Sequence, residues 1–286
     1  MSETILVTGA TSKNGAAALR HLAGSGHSLR AATREPEQIN QPNVQAVRFD
    51  WQDPTTYDDA VAGVTAAYVV IPEEMFDGPD RARVFIERAA AAGVRRIVAL
   101  SARGVDAFPG HPLQGVETVV QASELEWVIL RPNWFMQNFT EGIFRPNLFE
   151  AGEIRCPGGD AKISFVDVDD IGAVAAAALT GRVDAGTAVD LTGPEALTFG
   201  AVAALFTEAF GREIRYVPLT FDDPELGAKM GLGPLPPQAV QALFGRVVDG
   251  HEASISEDIP RILGRPAGSF ARFAAQIAQQ PTAGVS

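Results

Sequence analysis

The stretch Ile5-Leu6-Val7-Thr8-Gly9-Ala10-Thr11-Ser12-Lys13-Asn14-Gly15 decides the fold. Ile5 to Thr8 is a short apolar run with β-branched content, and Gly15 to Ala23 places Ala and Leu at helical spacing before Gly24-Ser25-Gly26. The segment therefore predicts strand, turn, helix. Glycines at such a junction serve a tight turn, a close approach of backbone to a pyrophosphate, and close helix-on-strand packing. Gly9 and Gly15 hold the outer positions, while Ser12 takes the middle one and offers an N–H and a hydroxyl. An ordinary βα turn is the plainer alternative.

Working outward, strands are expected at Ser28–Thr33, Val44–Phe49, Ala66–Ile71, Ile97–Leu100 and Trp127–Leu130, with helices at Thr55–Ala62, Asp80–Ala92 and Leu113–Ala122. Alternating strands and helices require right-handed crossovers, which build a parallel sheet covered on both faces. The expected fold class is α/β: a Rossmann-type doubly wound sheet over residues 1–132 and a smaller C-terminal α/β lobe over 133–286. In the second half, Gly152–Cys156, Thr187–Thr192 and Ile214–Leu219 read as strands, and Val166–Leu179 and Phe199–Phe210 as helices. Thr187–Thr192 is expected to rejoin the main sheet. From Asp222 to Ala274 the chain reads as helical, with loops at Gly231–Pro237 and Gly264–Pro266, and Gln280–Ser286 reads as a loose tail.

Ligands of such a sheet bind beyond the C-terminal strand ends, where strand order reverses. That rule nominates Gly9, Thr11, Ser12, Lys13, Asn14 and Gly15 for phosphates, and Ile71, Pro72, Ser101, Pro132 and Asn133 for ribose and nicotinamide. The cofactor type depends on the end of the second strand, Thr33-Arg34-Glu35. An arginine pairs with the 2′-phosphate of NADP, whereas a carboxylate binds the free ribose hydroxyls of NAD. Arg34, with Lys13 near, favours NADP(H); Glu35 carries the NAD(H) alternative.

Of 286 residues, 46% are hydrophobic and 20% charged, which leaves ample apolar surface for a core. The net charge is −12, from 35 acidic and 23 basic residues, and no basic patch stands out, so nucleic acid and anionic membrane surfaces are poor partners. A small-molecule substrate is expected, with monomer and homodimer both open. The one cysteine, Cys156, permits no intrachain disulfide and no multi-cysteine metal site, and no apolar run approaches a membrane span. With no leader-like start, a cytoplasmic location is expected. No metal site is expected either: Asp167, Asp169 and Asp170 read as helix capping and interdomain hydrogen bonding.

The TGATSKNG turn, Arg34, Leu130-Arg-Pro-Asn-Trp-Phe-Met-Gln-Asn138, Phe165-Val-Asp-Val-Asp-Asp-Ile171 and Leu191-Thr-Gly-Pro-Glu-Ala-Leu-Thr-Phe199 resemble the NmrA-like branch of the atypical short-chain dehydrogenase/reductases. Within that branch the chain is most similar to the festuclavine dehydrogenase and triphenylmethane reductase types. The resemblance covers nearly the whole chain. It implies an NADPH-binding Rossmann domain with a small C-terminal lobe and a substrate cleft. It leaves the activity open among reductases of imines, quinones or dyes and proteins that sense the dinucleotide without turnover.

A conventional short-chain dehydrogenase uses Tyr-x-x-x-Lys to move a proton while hydride moves. None of Tyr57, Tyr68 and Tyr216 has lysine four residues later, so an alcohol substrate is disfavoured and an electron-poor acceptor is expected. His111 is the candidate proton donor, and Ser101 the candidate hydrogen-bonding residue at a strand end. His111, Gln114, Trp134, Phe135 and Asn138 are the candidate substrate contacts, with Phe139 joining the aromatic wall or packing the lobe. No G-x-S-x-G elbow occurs.

Overall fold

A computed structural model describes residues 3–72, 75–108, 110–233 and 237–279. The expected tail at Gln280–Ser286 and residues 234–236 of the expected loop lie outside them. In chain order the elements are β1 (Thr4–Thr8), α1 (Lys13–Leu22), β2 (Ser28–Thr33), β3 (Val44–Arg48), α2 (Tyr57–Val61), β4 (Ala66–Val69), α3 (Gly78–Ala91), β5 (Arg96–Leu100), α4 (Pro112–Gln121) and β6 (Glu126–Pro132). There follow β7 (Glu153–Cys156), α5 (Val168–Leu179), β8 (Thr187–Leu191), α6 (Phe199–Phe210), β9 (Arg215–Pro218), α7 (Leu226–Lys229), α8 (Pro237–Val248), α9 (Asp258–Leu263) and α10 (Phe270–Gln279).

Seven strands form one parallel sheet in the order β3-β2-β1-β4-β5-β6-β8. The order reverses at β1, which pairs with β2 on one side and β4 on the other. The fold class is thus the expected Rossmann-type α/β arrangement, and β8 is the late strand that rejoins the sheet beside β6. A separate two-stranded parallel sheet joins β7 to β9.

The chain divides into two compact units. The first comprises Met1–Pro132, Val168–Leu191 and Asp258–Arg265. Its central strands are apolar on both faces, as helices above and below require. One face buries Leu6, Ala67, Val69, Ile97, Ala99 and Ile129 with Phe85 and Val120. Helix α5 belongs here, because it lies on α1 through small residues. A Cβ at Gly172 would come 2.6 Å from the Ala17 carbonyl carbon, so only glycine permits this approach.

The second unit comprises Asn133–Asp167, Thr192–Glu257 and Pro266–Ser286. Its core is unusually aromatic, with Phe139, Phe144, Phe165, Phe199, Phe206, Phe244 and Phe270 fully enclosed. Their rings meet mostly edge-on, as at Phe139 and Phe270, 5.3 Å apart with an interplanar angle of 86°, the quadrupole-favoured geometry.

Candidate functional site

The turn after β1 is built as a cradle. Gly9 has φ +58°, a left-handed conformation that favours glycine, and Ser12 caps α1 by accepting the Gly15 N–H at 3.2 Å. Gly15 has no room for a side chain, since a Cβ would sit 2.2 Å from the Gly9 carbonyl oxygen. No acidic residue occupies the first turn of α1, so the helix's positive end is not neutralised by its own side chains. Such a terminus is suited to an anion.

A cavity of about 840 Å3 opens at the C-terminal ends of β1 to β4, at the reversal of strand order. Of the nominated residues it brings together Gly9, Thr11, Ser12, Arg34, Ile71 and Pro72. Arg34 is exposed and has no ion-pair or hydrogen-bond partner among the described residues, whereas the Glu35 carboxylate accepts a bond from Gln38 Nε2. Lys13, Asn14 and Gly15 stand in the first turn of α1, behind the lining. Asn14 Oδ1 is buried with no partner among the described residues.

Two groups of lining residues escaped the sequence reading. Phe49, Asp50, Trp51 and Gln52 follow β3, and Met75, Phe76 and Asp77 precede α3. The strand-end rule would have found the first group had it been applied to β3. Trp51 is fixed as a wall: its Nε1 donates to Val70 O at 2.9 Å, the Tyr57 hydroxyl donates to Trp51 O at 2.8 Å, and its ring stands edge-on to Phe49 at 4.8 Å. A glycine turn at an uncompensated helix end, an apolar wall and an unpaired arginine together fit a phosphorylated dinucleotide.

The remaining candidates divide between the two units. In the first, Ser101 follows β5, and its Oγ is buried with no hydrogen-bond partner among the described residues. Pro132 ends β6 and accepts the Arg103 N–H at 3.0 Å. His111 is the N-cap of α4, where Nδ1 accepts the Leu113 N–H at 3.2 Å. An accepting Nδ1 leaves the ring proton of the neutral form on Nε2. Gln114 lies one turn on, with Nε2 3.4 Å from Thr118 Oγ1.

In the second unit, Asn133 is committed to scaffolding. Its Nδ2 donates to Ser164 Oγ at 2.8 Å and Glu252 O at 2.9 Å, and its Oδ1 accepts the Trp134 N–H. Trp134 is half-buried against Phe244, at 5.0 Å, while Phe139 is wholly enclosed in the core. Phe135 and Asn138 are half-buried. The three aspartates separate: Asp167 accepts from Gln137, Asp169 pairs with Arg20 and His21, and Asp170 with Arg265. Among the described residues no cluster suits a metal ion, and no helix is long and apolar enough to cross a membrane.

Burial pushes Tyr57 up to about 12 and pushes Tyr68 and Tyr216 up as well, the opposite of the lowered phenol that general acid–base work needs. Burial likewise raises the Cys156 thiol, making it a poor nucleophile. A phenol raised above its unfolded value of about 10 adds stability that is whole below pH 10 and fades as pH climbs through the folded value. Ultraviolet titration is thus expected to show no tyrosinate until pH passes roughly 11, one unit above the free phenol. A phenolate step near 10 in the folded chain would contradict the burial.

A model of the NmrA-like family matches residues 1–226. The NAD(P)H azoreductase of Xenophilus azovorans is 32% identical over 283 residues, covering 94% of this chain and 96% of that protein. A (4-alkanoyl-5-oxo-2,5-dihydrofuran-3-yl)methyl phosphate reductase of Streptomyces griseus is 34% identical over 284 residues, covering 96% and 98%. The crystal structure of an NADPH-dependent quinone oxidoreductase of Escherichia coli complexed with NADPH superposes with a TM-score of 0.82 at 24% identity, covering 96% of this chain and 99% of that one. With its sheet order, its glycine turn and a family match over 226 residues, the chain belongs to the NmrA-like family.

Proposed function

We propose that the protein is an NADPH-dependent reductase that delivers hydride directly to an electron-poor small molecule, an imine or iminium, a quinone or a dye-like aromatic. The observation that carries this reading is the cavity at the reversal of strand order, with Arg34 unpaired at its edge. The Gly9 turn and the first turn of α1 hold the pyrophosphate at the helix's positive end; the Ser12 N–H is taken by Gly9 O at 2.9 Å, so Ser12 contributes its hydroxyl rather than its N–H. Arg34 takes the 2′-phosphate, and Trp51 and Phe49 form the apolar wall. Nicotinamide, when bound, supplies the hydride.

The two full-length relatives, by their names, reduce an azo group and a conjugated oxo-dihydrofuran. Both are electron-poor double bonds. Such acceptors take hydride with little acid assistance, which agrees with tyrosines that are buried or half-buried and lack a lysine four residues on. Orientation then supplies much of the barrier reduction. In this reading His111 Nε2–H returns a proton, and the Ser101 hydroxyl is a polar contact for substrate or nicotinamide ribose.

Arg34→Ala is expected to weaken NADPH binding by roughly ten- to a hundredfold while leaving NADH nearly unchanged, since a charge-assisted bond is lost only for the phosphorylated cofactor. Fluorescence titration measures both affinities. Equal weakening for the two would reject the phosphate role. NADPH consumption against a panel of quinones, iminium salts and cationic or azo dyes tests the activity; tight binding with no turnover on any of them would instead indicate a redox-sensing protein.

A further inference from the structure

A second cavity, of about 430 Å3, opens in the first unit and shares no lining residue with the dinucleotide cavity. It lies where α1 ends, where the chain turns into β2, and where α5 ends. Helix α1 has ten residues, so this end is roughly 15 Å from the glycine turn.

The side chains there are unusual for so acidic a chain. Of four histidines, His21 and His27 both line this cavity, together with Arg182. No carboxylate belongs to the lining. Arg182 is exposed, and its guanidinium has no partner among the described residues. Ser25 Oγ accepts the His27 N–H at 3.4 Å, which leaves the hydroxyl proton free to donate. His27 Nδ1 is buried with no partner among the described residues. An orphaned acceptor is tolerated more readily than an orphaned N–H, so the neutral ring keeps its proton on Nε2 as a donor.

Opposing charge is already engaged. Asp169 receives His21 Nε2 at 3.0 Å and Arg20 at 3.5 Å. The carbonyls at the two helix ends also have partners: Leu22 O accepts the Ser25 N–H, Ala177 O the Arg182 N–H, and Ala178 O the Gly181 N–H. The donors left to the cavity are the Arg182 guanidinium, the Ser25 hydroxyl and the His27 ring N–H, above the apolar floor of Leu22 and Ala176. The geometry points to a binding site for a small oxyanion, a phosphate or carboxylate carried by a metabolite, held by Arg182, His27 Nε2–H and the Ser25 hydroxyl, with His21 lining it while its Nε2 stays on Asp169. In a protein of net charge −12, a lining that carries a guanidinium and no carboxylate is a favourable place for an anion.

The test is a titration followed by histidine-ring proton–carbon spectra of the full chain, at fixed pH and ionic strength with NADP+ present in excess. Inorganic phosphate is one arm and acetate the other, and His→Gln variants assign the four rings. The expected result is a saturable shift of His21 and His27 with one or both anions, while His111 and His251 stay still. The responding arm identifies the ligand as phosphate or carboxylate. Arg182→Ala, on an exposed side chain, is expected to weaken that binding by about tenfold or more. His27→Gln is expected to weaken it too, with NADPH affinity retained in both variants. No saturable shift with either anion, equal movement of all four rings, or undiminished binding in Arg182→Ala would overturn the site.

Discussion

Gly15→Ala is expected to weaken NADPH binding by about a hundredfold and to destabilise the first unit by about 3 kcal/mol, the upper range for overpacking at a backbone contact. The new methyl would lie 2.2 Å from Gly9 O, 2.8 Å from Gly9 C and 2.9 Å from Ala10 Cα. All three are backbone atoms of the turn itself, so no side chain can swing aside. Relief requires the start of α1 to retreat from β1 by roughly an ångström, and a displacement of that size in a binding constellation costs about a hundredfold. The same retreat pulls the Gly15 N–H from Ser12 Oγ and loosens the cap. Gly63→Ala is the control: Gly63 has φ +71° but open space around it, so it should cost roughly 1–2 kcal/mol through the backbone alone and leave cofactor affinity intact. Denaturant unfolding and NADPH titration read both effects. Unchanged affinity and stability in Gly15→Ala would remove the cradle from the binding argument.

The contrast between those two glycines shows what a sequence discloses. Gly9 and Gly15 were legible because strand, turn and helix are contiguous, and local periodicity fixes all three. That the sheet is parallel and covered on both faces was legible for a similar reason, as each crossover links neighbouring segments, whereas the strand order is seen only in the structure. Phe49 to Gln52 and Met75 to Asp77 were not, because the cavity they line exists only once β3 and β4 are placed beside β1. Asn133 shows the limit most clearly. It stands just past a strand end, where a ligand contact is expected, yet its amide is bound to Ser164, 31 positions away, and to Glu252, 119 positions away. Nothing in the neighbouring sequence marks those partners. Phe139 and Trp134 likewise share one aromatic run, and only the packed structure separates the enclosed ring from the half-buried one.

The largest stability loss is expected from Arg131→Ala. Arg131 Nε donates to Glu117 Oε1 at 2.9 Å, and Nη2 reaches Oε2 at 2.5 Å, a bidentate fork between the end of β6 and the middle of α4. The Glu117 side chain is 4% exposed, and the bond that Arg131 donates to it holds the guanidinium above its ordinary value. Asp106 adds a weaker, exposed contact at 3.2 Å. Removing the guanidinium strands a carboxylate in the interior, which costs about 3–5 kcal/mol, whereas a surface pair such as Arg95 with Glu3 contributes about 0–1 kcal/mol. The penalty belongs to the buried charge more than to the bond. Arg131→Met combined with Glu117→Leu should therefore recover most of the stability lost in Arg131→Ala, since apolar residues of similar volume carry no desolvation cost. That repaired variant also separates two roles. Helix α4 carries His111 at its N-cap and Gln114 in its first turn, so a stable double variant with full turnover would assign the ion pair to the fold alone. A stable double variant with raised KM and retained kcat would show that the fork sets where α4 presents those two side chains to substrate. Should Arg131→Ala lose less than about 1 kcal/mol, as an exposed pair would, the interior placement of Glu117 would be wrong.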